Sequence, residues 1–180
     1  MKVIQNVAMT SIIRTKLLWV LLLTHLPLLA MEKTDAPPAP PLILQSDQGE
    51  ILLSDYRGKV ILLDFWASWC GPCRLSFPWM NDLQTRYTDD QLVIIAVNLD
   101  KDGEASRGFL KEIPANFIIA YDPEGTSAET MKVIGMPMSY LIDRKGCVRQ
   151  SLIGFNDIKK AIHEAHIRAL LEEPLNSTNL

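Results

Sequence analysis

Two cysteines, Cys70 and Cys73, stand three positions apart in Trp69-Cys70-Gly71-Pro72-Cys73. Before them runs an apolar segment, Val60 to Trp66, that reads as a buried strand. After them, Arg74 to Tyr87 reads as a helix. The pair therefore sits where a strand feeds a helix N-terminus. Unpaired backbone N–H groups and the helix dipole stabilise a thiolate there. Cysteines so spaced on a first turn can close into a disulfide and reopen without unfolding anything. The chemistry this implies is thiol–disulfide exchange. The third cysteine, Cys147, follows a turn and reads as an inert small hydrophobe. Three cysteines are too few for a structural disulfide framework. A zinc site usually needs four ligands, and Cys147 and the three histidines show no ligand spacing, so neither metal nor cofactor is expected.

The chain has 180 residues, enough for one domain with a substantial core. Its net charge is −3, and the first thirty residues contribute only Lys2, Arg14 and Lys16. The body is thus mildly acidic, without a basic stripe, which argues against nucleic acid as a partner. Residues 1–30 combine that basic flank with Leu17 to Leu23, then Thr24 to Ala30, and match an export signal. Leu28 stands where a cleavage site prefers a small residue, and His25 interrupts the apolar run. A retained membrane anchor is the alternative, although residues 17–30 are short for a full span. Residues 31–41 form a Pro-rich linker, 42–172 the folded domain and 173–180 a tail.

Within the domain, Leu42 to Leu44, the turn at Gln48-Gly49-Glu50 and Ile51 to Leu53 predict an N-terminal hairpin. A short helical turn over 54–59 leads to the strand at 60–66. Pro78 is expected to kink the helix at 74–87. A continuous apolar strand follows at 92–98, of the kind buried in a parallel sheet. Then come a helix at 104–112, a strand at 117–120 and a short helix at 127–132. A strand at 138–142 turns through Asp143-Arg144-Lys145-Gly146 into another at 147–153. Asn156 or Asp157 can cap the last helix, whose Ile158, Ala161, Ile162, Ala165, Ala169 and Leu170 recur at helical spacing. This order predicts an α/β domain, a mixed sheet with helices on both faces.

The segment Asp64-Phe65-Trp66-Ala67-Ser68-Trp69-Cys70-Gly71-Pro72-Cys73 closely resembles the active-site segment of the thioredoxin superfamily. The surrounding layout is similar to the exported TlpA/ResA-type branch, the redoxin or AhpC/TSA-like group. Three features carry that likeness: the Pro-rich lead-in with its hairpin, the long insertion between the strands at 92–98 and 138–142, and Gly135-Met136-Pro137-Met138-Ser139-Tyr140-Leu141-Ile142-Asp143-Arg144-Lys145-Gly146. The resemblance spans about residues 40–170. It implies a thioredoxin-like fold, a central mixed sheet flanked by helices with an added N-terminal β-hairpin.

The same resemblance implies that Cys70 is the exposed attacking thiolate and Cys73 the buried resolving thiol, and the place of Cys70 nearest the helix start agrees. Gly71 and Pro72 make the thioredoxin-type dipeptide, which leans towards reducing roles; a proline also suits a first helical turn. Pro137 matches the family's cis-proline facing the cysteines, and the Met136 backbone is then free to pair with an extended substrate. Trp69 shields the redox pair and forms part of the docking surface, whereas Trp66, Trp79 and Met80 read as packing. Asp64 corresponds to the buried carboxylate of thioredoxins, with a pKa raised by its apolar strand and a role in taking and returning a proton at Cys73. Its structural alternative is a carboxylate bonded to nearby backbone or to Lys59. Two departures stand out: many exported relatives carry a different polar residue at the Asp64 position, and Ser76 stands where some reducing members have an acid.

The function implied is a periplasmic thiol–disulfide oxidoreductase, soluble after signal cleavage or tethered to the inner membrane. It would reduce disulfides of exported proteins or apocytochrome c and be recharged by a membrane thiol electron donor. Oxidation or isomerisation of folding proteins is the nearest alternative. Further alternatives are a non-enzymatic binding module and a thiol peroxidase, and no Pro-x-x-x-Thr-x-x-Cys approach precedes Cys70 for the latter.

Overall fold

The computed structural model describes residues 36–174. The export signal or anchor, the first part of the linker and the end of the tail lie outside the described residues. Among those described, no helix is long and apolar enough to cross a membrane.

Seven strands form one mixed sheet: β1 (Ile43–Ser46), β2 (Gly49–Leu52), β3 (Val60–Trp66), β4 (Leu92–Asn98), β5 (Ile118–Tyr121), β6 (Met138–Ile142) and β7 (Val148–Ile153). Their spatial order is β2-β1-β5-β4-β3-β6-β7. β3, β4 and β5 run parallel, while β6 lies antiparallel to β3, and the β1–β2 hairpin joins antiparallel to β5. Among the described residues there are also four α-helices, α1 (Gly71–Arg86), α2 (Gly103–Glu112), α3 (Thr126–Thr130) and α4 (Asp157–Leu171), and a 3-10 turn at Leu53–Tyr56. This is the expected mixed α/β architecture with its added N-terminal hairpin.

Every residue of β3 is buried, because side chains alternate between two covered faces. Val60, Leu62 and Trp66 pack with Phe77, Met80 and Leu83 of α1, Phe109 of α2, and Ile167 and Leu170 of α4. Ile61, Leu63 and Phe65 face the other way, towards Leu42, Leu44, Ile51, Met131 and Tyr140. The redox segment thus leaves a strand that is anchored on both sides. At the end of the Pro-rich stretch, Pro38 bridges Cys147; Ala39 N–H donates to the Gly146 carbonyl (2.9 Å) and Val148 N–H to that of Pro37 (2.8 Å).

Two elements differ from expectation. The helix after β3 begins at Gly71 rather than Arg74, because Cys70 itself is its N-cap and Pro72 lies where no N–H is needed. Pro78 stands inside α1 without ending it. In α4, Asn156 takes the cap and accepts the Lys159 N–H at 2.9 Å. The buried residues of α4 are His163, Ile167 and Leu170, however, while Ile158 and Ile162 are 76% and 50% exposed. Tertiary contacts choose this rotation. Trp79 stacks on Phe155 and His163 with centroids 5.0 and 6.0 Å away, and its indole N–H donates to Glu164 at 2.8 Å. At the far end, the Arg144 guanidinium donates to the carbonyls of Leu170 (2.8 Å) and Leu171 (3.0 Å).

Candidate active site

Cys70 and Cys73 form a disulfide with an S–S distance of 1.98 Å and Cα atoms 5.3 Å apart. Extended backbone at Cys70 gives way to helix at Gly71, so the first sulfur lies at the helix start. The Cys73 N–H points at that sulfur from 3.3 Å. The same N–H also donates to the Cys70 carbonyl at 3.1 Å, so it is shared between that oxygen and Cys70 Sγ, and its contact with the sulfur is a local reason a thiolate there is favoured.

The expectation of an exposed Cys70 is corrected. Cys70 is only 2% exposed and Cys73 is fully buried, both within the core cluster that contains Trp66 and Phe77. The bond to Cys73 draws the first sulfur in against the helix turn. The exposed groups of the segment are its neighbours: Gly71, Pro72 and, at 73%, Trp69. The indole of Trp69 stands out into solvent. Two further large apolar side chains, Leu75 in the first turns of α1 and Ile134 ahead of Pro137, are exposed as well.

The Met136–Pro137 peptide is cis, with Pro137 buried and Met136 half-buried against the cluster that holds both cysteines. The Pro137 carbonyl accepts the Gly154 N–H at 2.8 Å, which ties this segment to the end of β7.

Asp64 lies in β3 on the same face as Leu62 and Trp66, the face covered by α1. It is buried, and its Oδ1 accepts the Ser139 hydroxyl at 2.6 Å. Its Oδ2 is buried with no hydrogen-bond partner. Burial pushes the carboxyl up to about 7, against a smaller downward pull from Ser139. Lys59, the alternative partner, instead pairs with Asp90 at the surface (3.6 Å). Ser76 is buried and donates to the Cys73 carbonyl at 3.1 Å, so the helix turn at this position closes on itself without an acid.

Several supporting residues escaped sequence reasoning. Asp100 accepts both the Ser68 N–H (2.8 Å) and the Ser68 hydroxyl (3.0 Å), and also Asn98 Nδ2 (2.8 Å). This buried carboxylate pins the turn leading into Trp69 and Cys70. Its one signal in the sequence is a pair of polar residues closing an otherwise apolar strand. Ser139 gave less warning still, as a single hydroxyl between apolar neighbours. On the flank, Arg74 pairs with Glu112 and lies over the Phe109 ring, 5.2 Å from its centroid. Phe109 in turn packs on Trp66 and Phe77, with centroids 4.7 and 4.8 Å apart. A cavity of about 210 Å³ lies between the Pro-rich lead-in and the turn after β2, another of about 340 Å³ lies beside β1, and neither borrows a residue from the redox segment. Among the described residues, no group of three or more His, Cys, Asp or Glu could hold a metal ion.

The pattern of the Redoxin family matches residues 33–168, three quarters of the chain. This chain belongs to the Redoxin family. It is 37% identical over 117 residues to thiol-disulfide oxidoreductase ResA of Bacillus cereus (strain ATCC 10987), covering 64% of this chain and 68% of that protein. Thioredoxin-like protein YneN of Bacillus subtilis (strain 168) is likewise 37% identical, over 120 residues, with 64% and 69% covered. Among solved structures, a Chlorobium tepidum protein described as a thiol:disulfide interchange protein DsbE superposes with a TM-score of 0.73. It shares 44% identity and covers 76% of this chain and 97% of its own. With its redox pair closed into a disulfide at a helix start, this Redoxin protein is a thiol–disulfide oxidoreductase of thioredoxin-like fold.

Proposed function

We propose that this protein is an exported reductase that acts on disulfides of periplasmic proteins, apocytochrome c among them, through Cys70 and Cys73. The observation that carries the reading is the seat of Cys70 Sγ at the N-cap of α1, facing the Cys73 N–H. In the reduced protein Cys70 attacks a substrate disulfide and forms a mixed disulfide. Cys73 then attacks Cys70 and releases the substrate thiol. Asp64 takes the Cys73 proton during that second step, through water, and then releases it to water. Exposed Trp69, Leu75 and Ile134 provide apolar ground for a polypeptide substrate, and the backbone beside Met136 and Pro137 offers a place for its extended segment. The basic and apolar character of residues 1–30 supports export, with cleavage or retention as a tether deciding whether the domain is released. The reducing direction is supported by the Gly71-Pro72 dipeptide, and a membrane thiol donor would recharge the pair.

The test is the reduction potential of the Cys70–Cys73 pair in the full chain, equilibrated against dithiothreitol or glutathione buffers. The expected value is near that of thioredoxin, about −270 mV. A value near about −120 mV would make the protein a disulfide donor and overturn the reducing direction.

A further inference from the structure

Asp64 and Ser139 stand directly opposite each other in the antiparallel register of β3 and β6. Alternation along each strand turns both towards α1: Asp64 with Leu62 and Trp66, and Ser139 with Leu141. Both are buried, in strands whose other residues are almost all apolar. A hydroxyl has a single proton to donate, and that of Ser139 goes to Asp64 Oδ1 at 2.6 Å. The other carboxylate oxygen, Oδ2, has no partner although it is shielded from solvent. A buried acceptor without a donor is costly, so the two oxygens of one carboxylate are held in unequal states.

We infer that Ser139 is a positioning residue for the exchange reaction, its hydroxyl occupying Asp64 Oδ1 so that Oδ2 is the atom that exchanges a proton with the Cys73 thiol. The inference rests on the role proposed above for Asp64. With Oδ1 engaged, a proton arriving at the carboxyl goes to the open oxygen. When the carboxyl is ionised, the Ser139 hydroxyl is the donor that steadies its charge. In the resolving step, the proton leaves Cys73 Sγ for Oδ2, and the Cys73 sulfur bonds to Cys70 Sγ. The bond between Cys70 and the substrate sulfur breaks, and the substrate leaves with the electron pair as a thiolate that takes a proton from water. Asp64 then returns its own proton to water. The protein dithiol has been oxidised and the substrate disulfide reduced, with no further reagent.

Burial raises the proton affinity of Asp64 and the Ser139 hydroxyl lowers it, which leaves the group near neutrality at about 7. Removing the hydroxyl must therefore move the ionisation upwards.

The experiment measures the rate of disulfide reduction by the full chain from pH 5 to 10 in wild type, Ser139→Ala, Ser139→Val, Ser139→Thr and Asp64→Asn. Valine and threonine have nearly the same shape and differ in the hydroxyl, and both suit a strand. Carboxyl ¹³C NMR on aspartate-labelled protein reads the Asp64 ionisation independently of activity. Ser139→Ala and Ser139→Val should move the inflection, and the NMR titration, upwards by about one to two pH units. The rate at pH 6 would then fall roughly ten- to a hundredfold and recover at high pH. Ser139→Thr should return both to the wild-type position. If Ala and Val variants keep the wild-type inflection while Asp64→Asn lacks it, the role of Ser139 is overturned and that of Asp64 stands. If Asp64→Asn itself keeps the wild-type profile, both fail. Should Ser139→Ala not fold, the Val and Thr pair carries the same comparison.

Discussion

Asp64 and His163 are both buried against the sheet face that carries α1, and burial drives each towards its neutral form, with opposite consequences. The carboxyl rises to about 7, into the range where it can trade a proton. The imidazole falls to about 4, with its proton disfavoured first by burial and then by nearby His166 and Lys159. Their surroundings differ in kind. Asp64 keeps one oxygen without a partner beside the redox helix, while His163 is stacked among Trp79 and Phe155 with Glu164 and Arg86 alongside. Desolvation by itself does not make a working group. It does so where the shifted pKa falls near neutrality and an atom is left open to accept.

The largest test of this contrast replaces Asp64 by Asn. Disulfide reduction at pH 7 should fall about 100-fold, as expected for loss of a proton-transfer group, and the inflection near neutrality should vanish. Stability should change in the other sense. The folded carboxyl holds its proton from about pH 4 to about 7, a range in which the unfolded one has already lost it. Folding stability therefore declines as pH rises through that window and stays low above it. Asp64→Asn should remove this decline and gain roughly 2–4 kcal/mol at pH 8, measured by urea denaturation of the oxidised protein. A variant no more stable than wild type at pH 8 would break the contrast at its first member.

A second test weighs the packing beneath His163. Ile167→Ala should cost about 2–4 kcal/mol, whereas Ile162→Ala on the exposed side of the same helix should stay within about 0.5 kcal/mol. Equal losses would mean that α4 turns a different face to the sheet.

His163→Gln sharpens the second member. Unfolded histidine takes up a proton below about pH 6.5, whereas folded His163 resists until about 4. Wild-type stability is therefore eroded as pH falls through that window, opposite in sign to the Asp64 effect. The variant should flatten the acid side of the stability profile and leave the rate of disulfide reduction within about twofold of wild type. A large loss of activity would put His163 into the chemistry and dissolve the distinction.

The smallest effect is expected at Cys147. Its backbone N–H donates to Asp143 at 2.9 Å and its carbonyl accepts the Asp143 N–H at 3.0 Å, contacts that do not involve sulfur. Cys147→Ser should leave insulin reduction intact within about twofold. A marked loss would assign this half-buried thiol a part in electron transfer.

How far the molecule was legible depends on which forces act locally. β3 and β4 were visible as continuous apolar runs, and the residues Leu92–Asn98 match the predicted strand end to end. The cysteines at a helix start followed from spacing and flanking elements, although the extra turn of α1 depended on Cys70 acting as its cap. The rotation of α4 was not visible, because its aliphatic stripe competes with a face carrying His163, Ile167 and Leu170. Ring stacking on Trp79 and the hold of Arg144 on the last carbonyls decided between them. Asp100 was hidden for a similar reason, since its partner Ser68 lies 32 positions away and meets it only when β3 and β4 pair.

The sequence alone determined the kind of chemistry, the strand–cysteine–helix junction that hosts it, and the order of elements that makes a mixed sheet. These depend on short-range rules, namely apolar periodicity, helix capping and the reach of two sulfurs across one turn. Only the tertiary structure decided that Cys70 is covered in the disulfide form and that Ser139 holds one oxygen of Asp64 and leaves the other bare. Burial and cross-strand hydrogen bonds are made by residues far apart in the chain, so they come into being when the sheet assembles and its faces are sealed from water.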